Sequence, residues 1–202
     1  MRPCLLFCAE LGFSYASEGE DVCPQIELPG DWEAYLASLN KKDRHELRRK
    51  LRRLELDVTG QLEVLEAPEE IEAALGDFLR LHALSRAEKA AFMTEAMTRF
   101  FRRIVLALAG EALAEMVFLR LGGARVASVL CFRGKDEVLL YNSGYDPAYG
   151  EYSVGLLSKA LVLKKAIEDG RKRFDFLRGA EPYKYDLGAR DVTVHRCIIR
   201  RP

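Results

Sequence analysis

Hydrophobic and polar positions along the chain predict helices in the first half and mainly strands in the second. Asp31 is a candidate N-cap for a helix whose apolar residues share one face. In the next helix, Leu47, Leu51 and Leu54 recur at helical spacing and form a thin apolar stripe. The elements predicted in this half are a helix after Asp31, helices over residues 40–56, 69–85 and 92–108, and a strand over residues 61–65.

From Glu111 onward the spacing of apolar residues changes from helical to alternating. Turn residues at Gly122-Gly123 and at residues 134–136 separate three of the predicted strands and favour an antiparallel meander. A later helix is expected to begin at Ser153 and to end at Gly170, a suitable C-terminal cap. Strands are predicted over residues 116–121, 126–132, 138–141, 173–177 and 192–199, with loops over residues 142–152 and 178–189.

This order of elements predicts the fold class. A three-stranded meander followed by a strand–helix–strand crossover indicates an α+β fold with a mixed sheet. Residues 18–30 are rich in glycine, proline and acidic residues and are expected to form a linker. We therefore divide the chain into an N-terminal extension or linker, residues 1–30, and one domain, residues 31–202.

The composition is that of a globular protein. Of the 202 residues, 49% are hydrophobic and 31% are charged, which argues against disorder. The formal net charge is zero, so a polyanionic partner would have to bind a local basic patch. The five cysteines are an odd number and no pair has the two-residue gap of a zinc knuckle or redox motif. We therefore expect reduced thiols and no metal.

The N-terminus contains a short apolar run, residues 3–9, that Glu10 interrupts. The run resembles a signal peptide only faintly, and it is far shorter than the about 20 residues of a membrane-spanning helix. We expect a short helix or an irregular start there, no transmembrane segment, and a cytoplasmic protein.

The start of the helix at Ser153 is a candidate cofactor site. A loop with small residues enters this helix, and the free N–H groups and positive dipole end of a helix favour a pyrophosphate. Gly155 would let a ligand approach the backbone closely. The alternative is an ordinary helix capped by serine. The candidate cofactor-binding residues are Tyr152, Ser153, Val154, Gly155 and Leu156.

A second group of polar residues lies close together near the end of the chain. Transfer of a group to a nucleophile needs a proton acceptor for the nucleophile and later a proton donor for the leaving group. Glu181 or Asp175 could accept the proton, and Tyr183 could donate one. Lys184 is expected to be a solvated lysine near a cleft and is assigned to anchoring the substrate. A pair with Glu181 would make that acid a weaker base. Arg178 is a further candidate for binding a phosphate or the substrate. The alternative is that Tyr183 and Tyr185 pack against the sheet while Arg178 and Lys184 are solvated or pair with acids.

The predicted helix over residues 40–56 is strongly basic. Like charges at positions i and i+4 destabilise a helix by roughly a few tenths of a kcal/mol each. A phosphate-bearing partner such as a cofactor, a nucleotide-linked sugar or transfer RNA would offset that repulsion. The alternative is a solvated helix face opposite the leucine stripe. The three histidines, His45, His82 and His195, do not cluster and are expected to be structural. The candidate phosphate- or substrate-binding residues in this helix are Arg48, Arg49 and Arg52.

Four short motifs form a joint pattern in the second half of the chain. The motifs are Tyr141-Asn142-Ser143-Gly144-Tyr145-Asp146, Tyr152-Ser153-Val154-Gly155-Leu156, Asp175-Phe176-Leu177-Arg178-Gly179 and Glu181-Pro182-Tyr183-Lys184-Tyr185. Together with the basic helix and residues 32–39, they resemble the GNAT domain of the CelD-type acetyltransferases. That branch is similar in fold to the Fem peptidoglycan aminoacyltransferases. The resemblance extends from about Cys23 to the C-terminus.

The resemblance implies a GNAT-like acyl-CoA N-acyltransferase fold and an acyltransferase activity. The implied donor is acetyl-CoA or another acyl-CoA, and the alternative is an aminoacyl-tRNA bound through the basic helix. The implied acceptor is an amine or hydroxyl on a small molecule or on a cell-envelope or polysaccharide precursor. Two other function classes stay open, namely a non-catalytic GNAT-fold binding module and an RNA-binding protein without chemistry.

Two departures from the family bear on these expectations. Related proteins usually carry another GNAT-like half before this one, so the chain is expected to be a short form, to have a misplaced start, or to need a partner that supplies the missing N-terminal half. Many GNAT proteins also carry two closely spaced glycines before the cofactor helix, whereas this chain has Gly150 and Gly155.

Overall fold

The computed structural model describes residues 12–58 and 60–201, with the side chains of residues 57 and 58 left aside. The expected start over residues 3–9 lies outside this range. The strands are β1 (Ser14–Glu27), β2 (Gln61–Leu65), β3 (Ala114–Leu121), β4 (Ala124–Arg133), β5 (Glu137–Tyr145), β6 (Arg173–Asp175) and β7 (Arg190–Arg200). The α-helices are α1 (Trp32–Ser38), α2 (Lys41–Val58), α3 (Pro68–Ser85), α4 (Ala87–Phe92), α5 (Glu95–Gly110), α6 (Val154–Glu168) and α7 (Pro182–Asp186).

The strands form one mixed sheet in the order β2-β3-β4-β5-β6-β1-β7. Each neighbouring pair is antiparallel except β5 and β6, which run parallel over Glu137–Leu139 and Arg173–Asp175. The predicted meander is β3-β4-β5, and α6 is the crossover that makes β6 parallel to β5. The predicted α+β fold with a mixed sheet is therefore confirmed.

Local sequence signals account for the helix starts and for the buried stripes. The Asp31 carboxylate accepts a hydrogen bond from the Ala34 N–H at 2.8 Å, as its predicted capping role requires. Leu47 and Leu54 of α2 are buried, which confirms the predicted apolar stripe. The helix predicted over residues 92–108 begins later, at Glu95, because Thr94 caps α5 through the N–H of Met97, and Phe92 instead ends the short helix α4.

The prediction of a linker over residues 18–30 is wrong for most of that segment. Residues 14–27 form β1, which lies in the sheet between β6 and β7. Gln25 is opposite Asp175 on one side and Arg190 on the other. The partners of β1 are more than a hundred residues away in sequence, so its hydrogen bonds leave no local signal in a stretch rich in glycine, proline and acids. The described part of residues 1–30 thus contributes a strand to the same sheet.

Two predicted loops also contain regular structure. Residues 142–145 continue β5, and a 3-10 helix, Pro147–Tyr152, follows it. Within the expected loop over residues 178–189, Pro182 begins the short helix α7.

Helices cover both faces of the sheet. α1, α2 and α6 pack on one face, where Val117 and Leu119 of β3 lie. α3 and α5 pack on the other, against Met116 and Phe118 of the same strand. At Gly144 of β5 a Cβ atom would lie 2.3 Å from the backbone nitrogen of His82, so α3 packs directly on this strand. The sheet thus holds the end of β5 between α3 and the start of α6.

Candidate functional site

A cavity of about 530 Å³ opens where β5 and β6 separate. The two parallel strands are paired only as far as Leu139 and Asp175, and the cavity is lined by residues that follow in each, including Leu140 and Leu177. Where the two strands diverge, they no longer form hydrogen bonds with each other, and a gap opens between them. Ligands of open sheets bind at such breaks, beyond the carboxyl ends of parallel strands.

The N-terminus of α6 lies at this gap, as predicted. Ser153, Val154, Gly155 and Leu156 all line the cavity. The Ser153 side chain makes no capping hydrogen bond, so the helix is not the ordinary serine-capped one of the alternative interpretation. Tyr152 is not among the lining residues. The first N–H groups of α6 therefore have no intrahelical partner and no serine cap.

Backbone strain is concentrated at the same place. Three described residues other than glycine have positive φ, and two of them, Ser153 (φ 54°) and Leu177 (φ 56°), line the cavity. Such a conformation costs about 1 kcal/mol or more for a residue with a side chain. Strained residues that persist on both edges of one cavity point to a functional constraint there.

The structure pairs Lys184 with Glu181 across one turn. Lys184 is 2% exposed, its Nζ lies 2.8 Å from Oε2 of Glu181, and it donates hydrogen bonds to the carbonyls of Leu177, Arg178 and Gly179. The expectation of a solvated lysine is therefore wrong, because the ammonium holds together the loop that ends at α7. The assignment of Lys184 to substrate anchoring stays a prediction, and its Nζ is already committed to these four partners.

Glu181 faces the cavity and is a weak base. Despite the desolvation that opposes it, the ion pair with Lys184 lowers the pKa of this carboxyl below its ordinary value. This agrees with the expectation that the pair would weaken Glu181 as a proton acceptor.

Asp175 does not reach the cavity. Its two carboxylate oxygens accept hydrogen bonds at 2.7 Å, one from the Gln25 side chain and one from the Leu177 N–H. Asp175 therefore fixes the strained turn at Leu177 and ties it to β1. Arg178 lines the cavity, but its side chain is 58% exposed and its guanidinium donates a hydrogen bond to Asp21 of β1.

Tyr183, the predicted proton donor, lies in the cavity wall, and its role stays a prediction. Its ring packs edge-on to Phe176 with 6.0 Å between the ring centres. Burial raises the pKa of the Tyr183 hydroxyl above its usual range, so the group keeps its proton at neutral pH.

Two lysines in the cavity wall were not predicted from the sequence. Lys159 of α6 is 6% exposed, and its Nζ donates to the Gly155 carbonyl at 2.6 Å and lies 4.9 Å from the centre of the Tyr183 ring. Burial, and then the charge on Lys89, lower its pKa to about 7. A signal did exist, because Lys159 interrupts the buried face of the helix between Leu157 and Leu163.

Lys89 lies on α4 and reaches across to β5. Its Nζ donates to the Ser143 carbonyl, and burial followed by the charge of Arg86 lowers its pKa to about 8. Arg86, the residue before α4, also lines the cavity. In the sequence, Arg86 and Lys89 have the pattern of a short exposed helix, so the neighbouring residues do not indicate a functional site.

The cavity is electrostatically positive. The described lining contains five basic side chains and one carboxylate, that of Glu181. Burial on the apolar walls strengthens the field of the unpaired cations, which favours an anionic ligand. The basic lining residues are Arg86, Lys89, Lys159, Arg178 and Lys184.

The basic helix α2 does not supply cavity residues. Arg48 pairs with Glu33 at 2.6 Å, Arg49 pairs with Glu46 at 2.7 Å, and Arg52 is exposed. None of these three arginines lines the cavity, although α2 packs on the same face of the sheet as α6. Its link to the site is Arg53, which donates to the carbonyl of Glu151 in the 3-10 helix before α6.

His82 is a buried, neutral histidine behind the cavity. It is 1% exposed, and burial together with the charge on Lys89 lowers its pKa to about 4. Within residues 12–58 and 60–201, no group of three or more His, Cys, Asp or Glu side chains could hold a metal ion. No helix in the same part of the chain is long and apolar enough to cross a membrane.

Residues 41–185 match the family described as acetyltransferase (GNAT) domain. The chain belongs to this family. The match contains α2, the cavity and all of its lining residues. No curated protein has significant sequence similarity to this GNAT domain.

Solved structures resemble the fold of this GNAT domain at low sequence identity. FemX is 12% identical with a TM-score of 0.67, and the match covers 93% of this chain and 65% of FemX. The C-terminal domain of a protein described as a lysylphosphatidylglycerol synthetase from Agrobacterium fabrum is 12% identical, with a TM-score of 0.63, over 98% and 65% of the two chains. L-PGS from Bacillus licheniformis is also 12% identical, with a TM-score of 0.60, over 99% and 65%. The GNAT domain thus spans 65% of the length of each of these chains, and the likeness concerns the fold.

Proposed function

We propose that this GNAT domain transfers an acyl group from an activated donor such as acetyl-CoA to an amine or hydroxyl acceptor. The observation that carries the proposal is the uncapped N-terminus of α6, which opens onto a positive cavity at the gap between β5 and β6. Membership of the GNAT family supports acyl transfer, and the alternative of a non-catalytic binding module predicts ligand binding without turnover.

The residues present fit a donor that carries phosphates. The N–H groups of the first turn of α6, at Val154 and Gly155, are suited to hold a pyrophosphate, and the helix dipole adds to that attraction. A Cβ atom on Gly155 would lie 2.8 Å from the Tyr145 ring, so glycine keeps this turn close to β5. A thioester bound there supplies the activated acyl carbonyl.

We assign the proton transfer to Lys159. A general base works best when its pKa is near the working pH, and the pKa of Lys159 is lowered to about 7, whereas that of Glu181 is held low by Lys184. The new bond forms between the acceptor nitrogen and the acyl carbon as the carbon–sulfur bond breaks. Lys159 Nζ takes the proton that the acceptor nitrogen releases. The resulting ammonium is a stronger acid than an ordinary thiol of pKa about 8.5, so it returns the proton to the leaving sulfur.

Isothermal titration with acetyl-CoA tests the donor site. The change Ser153→Asp places a carboxylate at the N-terminus of α6, where it stabilises the helix dipole but repels a phosphate. We expect acetyl-CoA to bind Ser153→Asp at least about tenfold more weakly than the parent, with no loss of melting temperature. Thr94→Asp is the matched control, because Thr94 caps α5 and does not line the cavity. Absence of binding to the parent would overturn the donor assignment.

An aminoacyl-tRNA is the second candidate donor. The observation that favours it is the position of α2, since Arg53 contacts the 3-10 helix that leads into α6. Competition decides between the donors: a transfer-RNA donor requires that an aminoacyl-tRNA displace acetyl-CoA with a strong dependence on salt. If transfer RNA without an aminoacyl group binds and leaves acetyl-CoA binding unchanged, the chain is instead an RNA-binding protein without chemistry.

The finer assignments are part of the same proposal. The motif pattern supports placement in the CelD-type branch, with an acceptor among small metabolites or cell-envelope precursors. Acyl-CoA and aminoacyl-tRNA are both cytoplasmic, which supports a cytoplasmic location. Activity with the isolated chain tests whether a partner supplying another half is required.

A further inference from the structure

We propose that the acceptor of this transferase carries an anionic group, a carboxylate or a phosphate, which the side chains of Arg86 and Lys89 bind. The inference rests on the proposed acyl transfer and names the chemical class of its acceptor.

The first observation is the position of the two cations. α4 follows α3, which packs on the opposite face of the sheet from α6. Arg86 and Lys89 therefore reach the cavity from the α3 side, and the N-terminus of α6 reaches it from the other. In an acyl transfer the nucleophile approaches one face of the carbonyl, whereas the leaving group lies in the carbonyl plane, so the acceptor and the rest of the donor occupy different parts of the cavity. If the donor phosphates lie at α6, cations on the α3 side are placed for the acceptor.

The second observation is that neither cation forms an ion pair within the described residues, although the charge of Glu181 acts on both from a distance. Among the residues that the structure describes, the Arg86 guanidinium has no hydrogen bond or ion pair. Lys89 Nζ donates to a backbone carbonyl, that of Ser143, which is neutral. Glu181 is the one carboxylate of the described lining, and it is paired with Lys184 at 2.8 Å.

The third observation concerns the energy of this arrangement. Lys89 is half-buried, and the loss of water and the charge of Arg86 both disfavour its ammonium form. An anion between the two side chains would reverse both effects, since it replaces water as a hydrogen-bond partner and separates like charges. A planar carboxylate or a phosphate also suits the fork of the Arg86 guanidinium.

Binding of two small probes tests the proposal. Inorganic phosphate and succinate are titrated separately into the parent, Arg86→Gln, Lys89→Met and the control Lys172→Met, which removes an exposed lysine outside the cavity. We expect the preferred probe to bind Arg86→Gln and Lys89→Met at least about tenfold more weakly than it binds the parent. Lys172→Met should bind the probe as the parent does. The affinity for acetyl-CoA should stay within about twofold in all four proteins. The probe whose binding is weakened more by Arg86→Gln and Lys89→Met identifies the anion as a phosphate or a carboxylate.

The outcomes separate this inference from the proposed function. If neither probe binds the parent, or if Arg86→Gln and Lys89→Met both bind as the parent does, the inference is wrong even when acetyl-CoA binds. If the probes bind in the expected way but acetyl-CoA does not, the anion site stands and the acetyl-CoA donor is wrong. Arg86→Gln breaks no described contact, so this variant tests the inference even if Lys89→Met is unstable.

Discussion

The basic helix α2 and the cavity wall show two different uses of positive charge. α2 (Lys41–Val58) has the densest run of basic residues in the chain, yet its cations lie at the surface, and pairs such as Arg48–Glu33 join two exposed side chains. The cavity has fewer cations, but Lys159 is buried and Lys89 half-buried, and neither pairs with a carboxylate. Ion pairs at the surface are solvated and screened, whereas a cation that has lost water and forms no ion pair has a lowered pKa.

The comparison shows that the environment of a basic side chain, more than the number of basic residues around it, decides its pKa. The pKa of Lys159 is lowered to about 7 and that of Lys89 to about 8, because both lose water and because Lys89 repels Lys159 and Arg86 repels Lys89. In α2 the resolved changes come from ion pairs, as for Glu46, whose pKa Arg49 lowers to about 2. The cavity lysines can therefore exchange protons near neutral pH, and the arginines of α2 cannot.

The largest effect is expected at the most buried cation. Changing Lys184 to Met removes the ion pair with Glu181 and the donor to three backbone carbonyls. We expect the free energy of unfolding to fall by about 3 kcal/mol, measured by urea denaturation, because three backbone carbonyls lose their donor at once. Lys164→Met is the control, since Lys164 is 40% exposed and lies 3.8 Å from Glu168. A loss no larger than that of the control would mean that Lys184 does not hold this loop together.

The next effect concerns turnover. Lys159→Met should lower kcat/KM by about 100-fold while the protein stays folded, because the proton acceptor is lost. In the parent, kcat/KM should rise with pH through about 7, and this rise should be absent from the variant. The charged groups that face Lys159 are Arg86 and Lys89 on the α4 side and Glu181 at the start of α7. A pH profile that Lys159→Met leaves unchanged would assign the base elsewhere.

A smaller effect is expected in the pH dependence of stability. The folded pKa of Lys159 is about 7, below the ordinary 10.5, so between these values the unfolded chain binds more protons and the free energy of unfolding rises with pH. Lys89 adds to the rise from about pH 8. Above pH 10 the raised pKa of Tyr35 and Tyr183 opposes it.

Denaturation of the parent and of Lys159→Met at pH 7 and pH 9 measures this rise. It should be smaller in the variant, and Lys172→Met, which changes an exposed lysine, should behave as the parent. Equal rises in all three proteins would show that Lys159 is not desolvated.

The smallest effect is expected in α2. Arg48→Gln breaks an ion pair between side chains that are 50% and 72% exposed, so the melting temperature should change by less than about 2 °C. The same variant should bind acetyl-CoA as the parent does, because Arg48 does not line the cavity. A large loss of acetyl-CoA binding in Arg48→Gln would mean that α2, like the cavity wall, contributes cations to the donor site.

Much of the fold was predictable because its signals are local. The cap at Asp31, the leucine stripe of α2 and the glycine turns of the meander each depend on residues a few positions apart. The start of α6 at Ser153 was predicted in the same way, and its placement at the gap followed from the order of the elements. These features require only helical or strand periodicity and turn chemistry, which a sequence displays directly.

The site was predicted only in part, because burial and long-range pairing are not local properties. Lys184 was expected to be solvated and is buried, whereas Lys159 and Lys89 became site residues only when α6, α4 and the end of β5 met at one cavity. β1 is a strand because β6 and β7 lie on either side of it. The same side chain is an inert surface charge or a proton acceptor according to the water and counter-charges left around it, and the packing of distant segments sets both.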